Sequence, residues 1–238
     1  MSGHSKWATI HRKKGLIDAE RGKLFQKLAK EIMVAAKGTD GNIENNAALR
    51  MVVEKCRSQN MPKDNIQKAI DKAIGASDSV NFESIRYEGY GPSGIAVMVD
   101  CLTDNKNRTA GMVRSSFTKH GGNLGTDGSV SYMFNKKGYI VIEKTIDEDD
   151  VMIASLDAGA DDVIVSDEAF EIYTTPDTFL DVKSALEELD ATFLSSEVTY
   201  IANNDVEVDD ETKEKFYKLI DVLEDIDDVQ EIYHNLSE

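Results

Sequence analysis

Residues 138–202 carry the pattern that most restricts what this chain can fold into. YIVIEK alternates like a strand, and DEDDVMIASLDAG follows helical spacing with acids in its first turn, where the helix dipole favours them. DVIVS and AFEIYT read as short strands around a turn at Asp167–Glu168. TPDTFLDVKSALEELDA reads as a helix with Thr175 as cap and Pro176 in its first turn, and SSEVTYIA as a last strand. Strand–helix–strand–strand–helix–strand is the order of the ferredoxin-like split βαβ unit.

A unit of that kind closes on itself, so the flanking elements need another sheet. On one side, RYEGY and IAVMVDCL flank the turn signal GPSG. NRTAGMVRSSFTKHG then reads as a helix with Ala110, Val113 and Phe117 inward, and SVSYMF alternates like a strand with Val130, Tyr132 and Phe134 on one face. On the other side, the C-terminal segment holds a helix (Phe216, Leu219, Ile220, Leu223) and a strand (Val229, Ile232). The C-terminus is therefore expected to return and complete the first of these regions, leaving the ferredoxin-like unit as an insertion.

Three amphipathic helices precede all of this. Leu24, Leu28, Ile32 and Ala36 form an i, i+4 ladder beside Phe25 and Ala35, with Gly38 as the stop. A second helix turns Leu49, Val52, Val53 and Cys56 inward. A third starts near Pro62, carries Ile66, Ala69, Ile70 and Ala73, and stops at Gly75. Short loops between such helices imply a small bundle. The expected fold is α/β (α+β) in three domains: a basic arm and helical bundle over 1–77, a discontinuous α/β domain over 78–136 and 203–238, and the ferredoxin-like insertion over 137–202.

Composition matters chiefly through where the charge lies. The 238 residues have a formal net charge of -17, yet residues 1–75 hold 15 Lys and Arg against 8 Asp and Glu. The remaining residues hold 12 against 36. Such asymmetry points to an element that binds a polyanion. No apolar run approaches a membrane span, and no apolar stretch follows the basic N-terminus as in a secretory signal. Cys56 and Cys101 each sit in an apolar pattern, as reduced core thiols of a cytoplasmic protein would.

Motifs for catalysis are weak. GYGPSG matches a dinucleotide fingerprint in letters, but it leads into a strand where that fingerprint opens a helix, so it reads as a turn. The glycine-rich GGNLGTDGS lacks the Lys-Ser/Thr ending of a phosphate loop and reads as structural. His4, His11, His120 and His234 show no metal-like spacing, and the acidic EDIDD run reads as solvated surface. No enzyme activity, metal, cofactor or small-molecule substrate is expected.

The basic residues are more informative. The first 14 residues contain Lys6, Trp7, Arg12, Lys13 and Lys14 and no acid. At 100° per residue, Lys23, Lys27, Lys30 and Lys37 fall on one side of the first helix, opposite its apolar face and interrupted by Val34. Arg21 opens the same helix. A second cluster is Lys106, Arg108 and Lys119, followed by Lys136 and Lys137. Lys and Arg contacts to phosphate supply most non-specific nucleic-acid affinity, and Trp7 either stacks on a base or pins the arm to the bundle. A continuous basic track from arm to first helix to the second cluster is the expected interface, with acidic regions repelling phosphate elsewhere.

The stretches MSGHSKW, HRKKGLIDAERGKLFQKLAKEI, QNMPKDNI, YEGYGPSGIAVMVDCLTDNKNRTAGMVR, GGNLGTDGSVSYMF and DDVQEIYHN resemble the YebC family along nearly the whole chain. The resemblance implies a three-domain protein with an inserted third domain, cytoplasmic and active in gene expression. Members of that family are described as DNA-binding transcriptional regulators. Others, including a mitochondrial translational activator of cytochrome c oxidase, act on ribosomes. The expectation is thus a monomeric nucleic-acid-binding regulator whose partner is DNA, with ribosomal RNA as the alternative. A protein-interaction adaptor using the acidic domains is a third reading.

Overall fold

The computed structural model describes residues 21–75 and 81–237. Among them are seven α-helices and two four-stranded antiparallel sheets. They form two compact units: Met133–Asp205, and a second that joins residues before Met133 to Val206–Leu236.

The second unit begins with three helices, α1 (Arg21–Ala36), α2 (Ala47–Ser58) and α3 (Lys63–Gly75). The expected ladders form their common core: Leu28, Ile32, Leu49, Val53, Cys56, Ile66 and Ile70 are all buried together. Asn46 caps α2, its side chain accepting from the Leu49 amide at 3.0 Å. Pro62 precedes α3, and its carbonyl accepts the Asn65 amide at 2.9 Å.

The same unit continues with the hairpin β1 (Glu83–Tyr90) and β2 (Ala96–Thr103), α4 (Lys106–Lys119) and the two-residue β3 (Asn123–Leu124). The GPSG segment makes the hairpin turn, with Glu83 opposite Thr103 and Tyr90 opposite Ala96. After the insertion come α7 (Asp210–Glu224) and β8 (Val229–His234), which pairs antiparallel with β2, so the sheet order is β3-β1-β2-β8. The C-terminus thus returns to this sheet. Val97, Val99 and Cys101 alternate onto the face that packs on Val113 and Phe117 of α4 and on Phe216, Leu219 and Leu223 of α7.

The first unit contains β4 (Phe134–Glu143), α5 (Glu148–Asp157), β5 (Ala160–Val165), β6 (Ala169–Thr174), α6 (Phe179–Glu188) and β7 (Phe193–Ala202). Its order is β5-β6-β4-β7 with every neighbour antiparallel, the ferredoxin-like arrangement. Ile140, Ile142, Phe170 and Ile172 pack on Val151 of α5 and on Phe179, Val182 and Leu186 of α6. The other face carries Tyr139, Val141, Ala169 and Tyr173.

Three local expectations change. SVSYMF is not one strand: Ser131–Met133 is a 3-10 turn, Tyr132 is 68% exposed, and Phe134 opens β4. Lys136 and Lys137 consequently lie within that strand, where Lys137 pairs with Asp161 at 2.6 Å. Thr175 does not cap the second helix of the insertion. That helix starts at Phe179, and the Thr175 hydroxyl oxygen instead accepts the Thr178 amide at 3.2 Å, one turn earlier.

Candidate nucleic-acid interface

The lysines of α1 point away from the bundle core, as the helical spacing predicts, but they meet the turn between α7 and β8. Lys23 Nζ lies 2.7 Å from a carboxylate oxygen of Asp225. Lys27 Nζ donates to the Glu224 carbonyl at 3.1 Å, one of the last carbonyls of α7, where the helix dipole attracts a cation. Lys30 Nζ donates to the Asp227 carbonyl at 2.7 Å and reaches Asp228 Oδ1 at 3.2 Å. Lys37 donates to the Asn81 side chain at 2.7 Å. A small groove is lined by Lys23, Gln26, Lys27, Lys30, Glu224 and Asp227.

Asp228 joins this face to the second basic cluster. Its Oδ2 accepts from Arg108 at 2.6 Å and from the hydroxyls of Thr103 and Thr109 at 3.1 and 2.9 Å. Its carbonyl accepts the Leu102 amide at 2.8 Å, next to a bulge where β8 leaves register with β2 between Asp100 and Cys101. Burial works against ionising Asp228, but hydrogen bonds from Arg108, Thr109 and Lys30 outweigh it and hold the carboxyl below the usual range. Arg108 also pairs with Asp104 at 2.8 Å, and Lys106 pairs with Glu83. Arg21 and Lys119 are exposed.

Of the residues expected to contact nucleic acid, Lys6, Trp7, Arg12, Lys13 and Lys14 lie outside the described residues. Lys23, Lys27, Lys30 and Arg108 converge on the Glu224–Asp228 turn. The EDIDD run is therefore not simply solvated: Asp228 is 4% exposed, while Asp225 and Asp227 face solvent. Sequence reading missed this turn because nothing local to it signals partners some 200 residues away. It also passed over Arg114, exposed on α4.

The glycine-rich loop holds an anion that belongs to the chain itself. The carboxylate of Glu88, on β1, accepts the amides of Gly128, Val130 and Ser131 at 2.9, 2.8 and 2.8 Å. Burial opposes the charge on Glu88, yet those amides more than compensate and lower its pKa. The loop is thus occupied by a structural carboxylate where a phosphate loop would leave its amides open. Among the described residues, no three His, Cys, Asp or Glu side chains converge as a metal requires, and no helix is long and apolar enough to cross a membrane.

Comparison with known proteins agrees with this architecture along the chain. Residues 5–76 match the family described as the TACO1/YebC protein N-terminal domain, and residues 82–236 match the TACO1/YebC second and third domain. A probable transcriptional regulatory protein of Geobacillus kaustophilus is 54% identical over 100% of this chain and 98% of its own length. The probable transcriptional regulatory protein YrbC of Bacillus subtilis is 52% identical over 99% of each. The crystal structure of a conserved hypothetical protein from Aquifex aeolicus superposes with a TM-score of 0.80 at 44% identity, covering 92% of this chain and 91% of that one. With all three family domains matched in order and relatives above half identity from end to end, the chain belongs to the TACO1/YebC family.

Proposed function

We propose that this protein is a nucleic-acid-binding regulator of gene expression and that its partner is DNA. The observation that carries the reading is the charge partition: a chain of net charge -17 concentrates 15 of its 27 Lys and Arg in the first 75 residues. An acidic protein with one basic region admits a polyanion along that region and repels it elsewhere. The name probable transcriptional regulatory protein, borne by relatives more than half identical, supports the same reading. The proposed contacts are the cations of the N-terminal segment (Lys6, Arg12, Lys13 and Lys14) with Trp7 stacking, Arg21, Lys23, Lys27 and Lys30 of α1, and Lys106, Arg108 and Lys119 of α4. Among the described residues, the cations of α1 and α4 form no base-reading array on a recognition helix, so affinity is expected to rest on the phosphate backbone.

The test is to crosslink the intact protein in cells and sequence what it holds. Discrete DNA segments are the expected recovery, together with salt-sensitive binding to duplex DNA in vitro. Recovery of ribosomal RNA alone, with no duplex binding at low salt, overturns the DNA reading in favour of the ribosome.

A further inference from the structure

The helical bundle and the sheet it accompanies have separate apolar cores, and among the described residues no side chain belongs to both. What joins them at the α7–β8 turn is polar. Lys23, Lys27 and Lys30 reach oxygen atoms of residues 224–228, and Lys55, on α2, bridges Glu31 and Glu231 at 2.9 Å each. The turn offers the α1 lysines carboxylate and carbonyl oxygens at 2.7–3.2 Å, the kind of ligand and the spacing that phosphate oxygens would supply.

We propose that the Glu224–Asp228 turn is an internal competitor for the lysines of α1, and that a polyanion gains Lys23 and Lys27 by exchanging its phosphates for the turn's oxygens. This rests on the nucleic-acid reading above and adds how that surface is regulated. The contacts are graded. The Lys23–Asp225 pair is half open to water, at 50% and 74% side-chain exposure, and pairs of that kind are weak. The Lys30–Asp228 pair is largely buried, at 19% and 5%, and Asp228 is also tied to Thr103, Arg108 and Thr109. Exchange therefore starts at Lys23 and proceeds to Lys27, while Lys30 keeps Asp228 as the hinge of the contact and meets a phosphate only through the ammonium N–H that the Asp227 and Asp228 oxygens leave over. A single phosphate competes poorly with a turn tethered beside the lysines. Successive phosphates on one strand compete well, because each raises the local concentration of the next. The partner class is a polymer with adjacent phosphates, and not a mononucleotide.

The experiment titrates the full-length protein at low salt against a short fluorescein-labelled DNA duplex, a labelled single-stranded RNA of the same length, and unlabelled AMP as competitor. Asp225→Asn is expected to tighten polymer binding about two- to fivefold, the range that loss of an exposed ion pair allows. Asp210→Asn, which removes an exposed acid at the far end of α7, controls for net charge and is expected to change affinity less. Lys23→Gln/Lys27→Gln is expected to weaken binding, and adding Asp225→Asn to it to restore nothing. Equal affinities for the Asp225 and Asp210 variants overturn the competitor while leaving the nucleic-acid reading intact. So does unchanged binding by the double lysine variant. Displacement of the labelled polymers by AMP at comparable phosphate concentration overturns the polymer requirement. Failure of the unaltered protein to bind either labelled polymer overturns both readings together.

Discussion

Lys30 and Arg108 place their charges on the two oxygens of one buried carboxylate: Lys30 Nζ lies 3.2 Å from Asp228 Oδ1, and Arg108 Nη2 lies 2.6 Å from Oδ2. One residue thus ties α1 to the start of α4, and its carbonyl ties both to β2 through Leu102. Asp228→Ala removes the buried carboxylate shared by Lys30, Arg108 and the hydroxyls of Thr103 and Thr109, leaving Lys30 on the Asp227 carbonyl and Arg108 on Asp104, with an expected cost of about 2–4 kcal/mol. Asp228→Asn keeps an oxygen for the hydroxyls and is expected to cost less. Because the carboxyl titrates below its unfolded value, its contribution is present above about pH 4 and is lost as pH falls through the folded pKa. Urea midpoints at neutral pH and near pH 3 check this: stability should drop toward acid in the parent and less steeply in the Asn variant. A parent-like midpoint for Asp228→Ala would remove the residue from its central place.

Glu88 is the second carboxylate on which local structure depends. Its three amide bonds shape the segment from Gly128 to Ser131 that leads out of the glycine-rich loop. Glu88→Ala leaves those donors without their acceptor and is expected to destabilise the unit by at least about 2 kcal/mol, since each bond to a charged group is worth about 1.5–3 kcal/mol. Amide hydrogen exchange at residues 128–131 should accelerate more than exchange in the helical bundle. Uniform acceleration would mean a global loss of stability and not a local release of the loop.

The cysteines and tyrosines give two chemical checks of burial. Cys56 and Cys101 are free, at 0% and 1% exposure, and burial pushes their thiols up to about 11 and about 12. Both should resist thiol reagents at neutral pH until the protein unfolds; rapid labelling of either in the native state contradicts this.

Tyr139 and Tyr173 stand side by side on β4 and β6 and donate to the same Glu171 oxygen at 2.6 and 3.1 Å. Burial first, and then the neighbouring Glu171, raise both phenols above their ordinary value; Tyr173 adds to the rise at Tyr139, whereas its hydrogen bond with Tyr139 works against the rise at Tyr173. In the window above about pH 10 the unfolded chain has lost protons that the folded chain keeps, so stability falls as pH rises. Tyrosinate absorbance should show these two phenols ionising only with alkaline unfolding. Their ionisation ahead of unfolding would show that the pocket admits water.

Much of this fold can be read directly from residue order. Leu28, Ile32, Leu49 and Cys56 lie in the bundle core where periodicity puts them, because an amphipathic helix has one way to bury its stripe. The strand–helix–strand–strand–helix–strand order needs no more than hydrophobic period, caps and turn signals. SVSYMF misleads for a physical reason. Three alternating residues are too few to outweigh the amides of Val130 and Ser131, which bind Glu88 and bend the chain before Phe134. The lysine stripe shows the same division: spacing gives its face, but its partner is a turn near the other end of the chain, and no local pattern encodes that pairing.

The N-terminal segment is the remaining part of the proposed interface, and its four cations, Lys6, Arg12, Lys13 and Lys14, make a contribution that salt can measure. If all four N-terminal cations meet duplex phosphates, they contribute a slope of about -3.6 in log K against log salt, at roughly -0.9 per contact. On single-stranded RNA the same four contribute about -2.8, at roughly -0.7 each. Deleting residues 1–14 should remove that slope along with affinity. Trp7→Ala removes a stacking surface and no charge, so it should lower affinity and leave the slope nearly unchanged. Salt titrations of the three proteins on duplex DNA and on RNA separate these effects. On each polymer the slope lost on deletion counts the N-terminal cations that meet phosphate there, about 3.6 on duplex and about 2.8 on single strand when all four do. A deletion variant that binds both polymers as tightly as the intact protein, with the same slope, would take the opening segment out of the interface and leave α1 and α4 to account for all of it.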